Sequence, residues 1–231
     1  PYAWLPALAL FVAGAVFTVA FAVWRTGQLW QGGRDPPDNT PVLYLPAVAG
    51  GFVTALASAA FGFPDWGPLA FGAGLFAWLG IESVLIHRLY TAPEMPPALR
   101  PSLGIQTAPP AVAAVAYLAV SAAPSDVVSL GLVGYALFQS LLVARLARWI
   151  FAGGVTASAW SFTFGATALA GAMVRIAGAA PENPAVRLAP GVLAIVTALI
   201  ALLFLRTVWL MAAGRLISRA GPVPSLLHPN S

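Results

Sequence analysis

The side chains that could do acid–base, nucleophilic or metal chemistry are few in this sequence, and they are scattered. The chain contains no cysteine, and its two histidines, His87 and His228, lie far apart. No HExxH, GxSxG or glycine-rich phosphate-loop pattern occurs in it. We therefore expect no catalytic residues, no metal site and no bound cofactor.

Glu82 is the main acidic residue inside an apolar run. Carboxylates at membrane depth are rare, and they commonly serve as proton relays or ion sites. A carboxylate in this position can also pair with a neighbouring arginine, such as Arg145. From the residues alone, both interpretations of Glu82 are open.

The elements that must position these residues are seven apolar runs. Each run is about 20 residues or slightly longer, so that a helix rising about 1.5 Å per residue would cross the roughly 30 Å core of a bilayer. Hydrophobic residues make up 60% of the chain and charged residues 8%, whereas about 25% of a soluble domain is charged. The runs cover residues 4–24, 42–61, 67–89, 101–121, 126–150, 156–178 and 188–213. The sequence thus predicts an all-α integral membrane protein with a single transmembrane domain over residues 1–231.

The arginines are distributed asymmetrically about these runs. If the first run ends in the cytoplasm, Arg175 and Arg187 lie outside and the other nine arginines lie inside, which satisfies the positive-inside rule. The C-terminus is then cytoplasmic. The basic residues form no stripe or basic–aromatic cluster, so we expect no nucleic-acid binding. The inside arginines are Arg25, Arg34, Arg88, Arg100, Arg145, Arg148, Arg206, Arg215 and Arg219.

Helix-breaking residues alternate with the runs. Proline removes a backbone donor and kinks a helix, and in a bilayer such a break is tolerated only against protein or a water-filled cavity. The second, fourth and sixth runs should therefore form an inner layer and the others an outer layer. The breakers in these three runs are Pro46, Gly50, Gly51, Gly104, Pro109, Pro110, Gly165 and Gly171.

The two ends of the chain differ from the runs between them. The chain starts at Pro1 and enters an apolar run almost at once, with no basic segment before it. This start indicates a chain that lacks upstream helices. Residues 220–231 contain three prolines, and we expect a disordered cytoplasmic tail there.

Several short motifs occur in order from about residue 24 to residue 215. They are LWQGG at 29–33, YLPAVA at 44–49, FGAGLFAW at 71–78, LGIQTAP at 103–109, LVARLARWI at 142–150 and WSFTFG at 160–165. Together these motifs resemble the bacterial tellurite-resistance and four-carbon-dicarboxylate transporter family, whose superfamily includes the plant slow-type anion channel.

The resemblance implies ten transmembrane helices arranged as five hairpins, with five inner helices around a pore. It also implies a homotrimer in the bacterial inner membrane that moves small anions. The seven runs would then be the fourth to tenth helices. The alternative that the sequence leaves open is a non-transporting membrane scaffold or an inactive fragment.

The resemblance also assigns roles to particular residues. Phe164 matches the phenylalanine that blocks the pore in this family, and Phe162, two positions earlier, is expected to pack inside the protein. Because an anion pathway gains nothing from a carboxylate, we favour the ion pair between Glu82 and Arg145. The residues expected to line the pore or to kink its helices are Pro46, Gly50, Thr54, Gly104, Pro109, Thr163 and Gly165.

Overall fold

The computed structural model describes residues 3–121, 125–183 and 185–214, so the predicted tail at 220–231 lies outside the described residues. Within these ranges the chain is helical. The α-helices are α1 (Trp4–Trp30), α2 (Gly50–Ala60), α3 (Trp66–Thr91), α4 (Ala108–Val120), α5 (Val127–Arg145), α6 (Ala147–Ile150), α7 (Ser161–Ala179) and α8 (Ala185–Ala212).

Seven spans in this part of the chain are long and apolar enough to cross a membrane, which confirms the predicted fold class. Four of them are single helices: α1, α3, α5 and α8. The other three begin with a differently wound helical turn before the α-helix proper. These composite spans are Pro41–Ala60, Arg100–Val120 and Ala157–Ala179, the three that the breakers singled out.

The unusual turns coincide with prolines in two of these composite spans. The second span contains a π-helical turn, Leu45–Ala49, with Pro46 in its first positions. The fourth span begins with a 3₁₀ helix, Arg100–Thr107, that has Pro101 near its start. Proline cannot donate the backbone hydrogen bond that an α-helix requires, so the chain adopts another winding at these points.

The fourth span lies at the centre of the described helices. In the most apolar stretch of the fourth span 67% of the residues are buried, compared with 39% in the sixth span and 0% in α1. α4 packs against α2, α5 and α7. The inner-layer prediction therefore describes the fourth and sixth spans well. The second span is no more buried than α3, at 28% each, and it leaves Leu45 and Val53 exposed.

Small residues allow the central helices to approach closely. A Cβ added at Gly51 in α2 would come within 2.7 Å of the Cα of Gly74 in α3. A Cβ added at Gly104 would come within 2.6 Å of the ring of Phe162. Close helix contacts through small residues are typical of membrane proteins, where van der Waals packing replaces the hydrophobic effect between helices.

Candidate functional site

The three composite spans meet around an apolar hollow. The second span contributes one wall, the fourth contributes another, and Phe164 of α7 completes the lining. Its lining residues are Tyr44, Leu45, Val48, Ala49, Phe52, Ile105, Ala108, Pro109, Val112 and Phe164. The spans that were predicted to form an inner layer thus share a surface.

Phe164 and Phe162 lie on different sides of α7. The Phe164 side chain is 48% exposed and borders the hollow. The Phe162 ring instead packs against Phe151, with their centroids 5.4 Å apart, and touches the position of Gly104. Two residues along an α-helix correspond to a rotation of about 200°, which separates the two rings. The expected packing role of Phe162 is observed.

The other predicted residues of the fourth and sixth spans take different positions. Pro109 lines the hollow. Gly104 and Gly165 are buried between these spans, where they allow close packing and do not border the hollow. The Thr163 hydroxyl donates a hydrogen bond to the carbonyl of Trp160 at 2.8 Å, within the turn that starts α7. Only Pro109 of these four belongs to the wall.

The second span differs more from the prediction. Pro46, Gly50 and Thr54 lie on the side that faces α1, not on the side that faces the hollow. A Cβ added at Gly50 would meet the Cγ2 methyl of Thr18 in α1. Pro46 lies within the π-helical turn, as expected of a residue that interrupts a helix. The face that each residue adopts depends on this turn, which an α-helical wheel drawn from the sequence omits.

Glu82 is the centre of a buried hydrogen-bond network, which we call the Glu82 network. Five side chains donate to its carboxylate. Oε2 accepts from the Tyr44 hydroxyl, from Trp78 Nε1 at 3.0 Å and from Gln106 Nε2 at 3.0 Å, and Oε1 accepts from the Tyr135 hydroxyl at 2.7 Å and from Gln139 Nε2 at 3.0 Å.

These five donors replace the predicted ion pair. Among the described residues, Arg145 forms no ion pair with Glu82, and its side chain is exposed. Gln139 reaches Glu82 from α5, and Arg145 lies six residues further along that helix, about 9 Å away along its axis. Carboxyl oxygens accept hydrogen bonds, and the five neutral donors satisfy both oxygens of Glu82.

Trp78 lies one helical turn before Glu82, but no local pattern connects Glu82 to its other four donors, so the network was missed. Tyr44, Gln106 and Gln139 are 38, 24 and 57 residues from Glu82 along the chain. One signal was available, since Gln106 and Gln139 are amides within otherwise apolar runs. A buried amide needs a partner, and Glu82 was the main acid at membrane depth.

At one end of the bundle, Arg100 joins three parts of the chain. Its Nε donates to the Met95 carbonyl at 2.8 Å, and its Nη1 donates to the Trp149 carbonyl at 3.2 Å. Its Nη2 forms an ion pair with Glu94 at 3.0 Å. The guanidinium also lies 4.5 Å from the centre of the Trp149 ring. Arg100 therefore links the loop that contains Glu94 and Met95 to Trp149, which lies in α6, just after α5.

Comparison with known proteins agrees with this architecture. Residues 1–208 match the family model described as SLAC1, voltage-dependent anion channel. The chain is also 37% identical over 172 residues to a tellurite resistance protein TehA homolog of Haemophilus influenzae, an alignment that covers 73% of this chain and 52% of that protein. The chain thus spans about half the length of this curated relative. Since the family model covers nearly all of the chain, this multi-pass membrane protein belongs to the SLAC1 family of voltage-dependent anion channels.

Proposed function

We propose that this chain forms part of a pore for small anions, in which the hollow is a section of the pathway and Phe164 is the gate. The main support for this proposal is the position of Phe164, whose half-exposed ring borders the apolar hollow. Hydrated ions do not cross a narrow apolar constriction from which water is excluded. A ring at the edge of such a wall can therefore close the pathway.

The rest of the pathway would come from outside this chain. The three composite spans line the hollow and would supply one side of the pathway, and the curated relative is about twice as long as the aligned part. Two further inner helices of the complete protein would close a five-helix pore around the hollow. A homotrimer would then contain one pore in each protomer, within the inner membrane of a bacterium.

The experiment is the substitution Phe164→Ala in the complete protein, measured by voltage clamp in a chloride bath. Removing the ring opens the constriction, and lowering the barrier by about 1.4 kcal/mol raises the current about tenfold. We expect a rise of that order or larger in a protein that expresses and folds normally. Wild-type current from a well-expressed Phe164→Ala protein would show that Phe164 is not the gate.

Phe162→Ala is the matched control. Its ring packs against Phe151 and touches the position of Gly104, so its loss should leave a cavity and cost about 3–5 kcal/mol of stability. We expect less folded protein and no gain in current. A gain in current from Phe162→Ala equal to that from Phe164→Ala would indicate general loosening of α7, and it would count against a specific gate.

A further inference from the structure

Tyr44 belongs to two features at once. It lines the hollow beside Phe164, and its hydroxyl donates to Glu82. The other nine lining residues have apolar side chains, so the Tyr44 hydroxyl is the only polar side-chain group among these ten residues. What this hydroxyl binds therefore decides whether the wall offers a hydrogen-bond donor to a passing anion.

The Tyr44 hydroxyl both donates and accepts a hydrogen bond inside the protein. Its proton is donated to Glu82, and its oxygen accepts a hydrogen bond from Gln106 Nε2 at 2.9 Å. Gln106 also donates to Glu82. The hydroxyl is held between two partners that are bonded to each other, which fixes it more firmly than a single bond would.

The carboxylate itself is held from the opposite side. Tyr135 and Gln139 of α5 donate to its other oxygen, and Gln139 Nε2 also lies 2.9 Å from the Tyr135 hydroxyl. Glu82 belongs to α3, and it is 7% exposed. Two of the donors that orient the carboxylate thus come from a helix that does not border the hollow.

A free phenol hydroxyl in an apolar pathway would retain anions. Hydrogen bonds to charged groups are stronger than those between neutral groups, and they are strongest where water is excluded. Conduction requires that binding be weak enough for release. We propose that Glu82 is a positioning residue for permeation. It accepts the hydrogen bond of the Tyr44 hydroxyl and so leaves no free hydrogen-bond donor on the wall beside Phe164. This inference depends on the function proposed above.

Three substitutions separate this role from a purely structural one. The methionine of Glu82→Met is similar in length to glutamate but has no strong acceptor. The Tyr44 hydroxyl therefore loses the carboxylate to which it donates. Glu82→Gln keeps one side-chain oxygen, which can still accept hydrogen bonds from Tyr44, Trp78 and Gln106. It is the conservative substitution that should preserve the role of Glu82. Tyr44→Phe removes the hydroxyl and leaves the ring in the wall.

The test measures chloride flux against chloride concentration, using the complete protein reconstituted in lipid vesicles. In Glu82→Met we expect the half-saturating concentration and the maximal rate both to fall about tenfold, the effect of one added hydrogen bond to an anion. The combined variant Glu82→Met with Tyr44→Phe should recover both values. Glu82→Gln and Tyr44→Phe alone each leave no free hydroxyl on the wall, so neither should lower the half-saturating concentration. A general loss of structure would lower the maximal rate without lowering the half-saturating concentration.

Several results would overturn the inference. If Tyr44→Phe raises the half-saturating concentration, the hydroxyl already contacts the anion in the wild type. If the combined variant keeps the Glu82→Met values, Glu82 does not act through Tyr44. If Glu82→Met fails to fold, Tyr44→Phe and Glu82→Gln still test the proposal. A change in the half-saturating chloride concentration of either variant contradicts it. Absence of wild-type flux would instead refute the proposed function itself.

Discussion

Gly165 of α7 lies directly against the backbone of Thr107 and Ala108, where the fourth span changes from 3₁₀ to α-helix. A Cβ added at Gly165 would come within 2.8 Å of the Ala108 nitrogen and 2.9 Å of the Thr107 carbonyl carbon. Backbone atoms cannot rotate away as a side chain can. The crossing of α7 and the fourth span therefore has no room for a methyl group.

Gly165→Ala should destabilise the protein. Overpacking a close contact typically costs about 1–3 kcal/mol, because the backbone must shift. The measurement is thermal unfolding in detergent, followed by tryptophan fluorescence. A Tm equal to that of the wild type would mean that the two helices separate easily at this point.

The matched control is Gly171→Ala on the same helix. A Cβ at Gly171 would meet nothing within 4 Å, so the substitution adds no clash. Alanine favours a helix over glycine by about 1 kcal/mol. We expect Gly171→Ala to raise the Tm or leave it unchanged, in contrast to Gly165→Ala.

A second prediction concerns the capping box at the start of α5. The Asp126 carboxylate accepts hydrogen bonds from the backbone N–H groups of Ser129 at 2.9 Å and Val128 at 3.1 Å. The bond from Ser129 is the main cause that holds the pKa of Asp126 below its usual 3.8, and the Tyr117 hydroxyl adds to it. Because the folded pKa is the lower one, Asp126 stabilises the protein above pH 3.8, and this contribution is lost as the pH falls through the folded value.

Two variants test this pH dependence. Asp126→Ala should lower the Tm at neutral pH, and its difference from the wild type should shrink as the pH falls below 3.8. Asparagine also caps helices well but carries no charge, so Asp126→Asn should keep part of the stability without this pH dependence. A difference between the wild type and Asp126→Ala that stays constant down to acid pH would show that the carboxylate charge is not involved.

Local patterns predicted the spans, but they could not predict which faces meet. Apolar length and breakers depend on neighbouring residues, and they identified the three composite spans correctly. Four of the five donors to Glu82 come from three other spans, and the charge of Arg145 alone does not show its depth along α5. Gly50 and Thr54, which face α1, follow a π-helical turn. A turn closed by hydrogen bonds between residues five apart contains more residues than an α-helical turn, so it changes the face of the residues after it.

The third prediction concerns orientation. The arginine asymmetry requires the loops after α1 and α3 to be cytoplasmic and the turns after α2 and α7 to be outside. The chain has no cysteine, so single cysteines can report the side of each loop. Suitable exposed positions are Asp38 and Ala98 for the cytoplasmic side and Asp65 and Glu182 for the outside.

A membrane-impermeant maleimide applied to intact cells should label Asp65→Cys and Glu182→Cys, and it should label Asp38→Cys and Ala98→Cys only after the cells are opened. The two positions on each side control for each other, because they flank different spans. Labelling of Asp38→Cys in intact cells would reverse the orientation and place the C-terminal end of α8 outside. Labelling of Asp65→Cys but not Glu182→Cys would instead mean that a span between them does not cross the membrane.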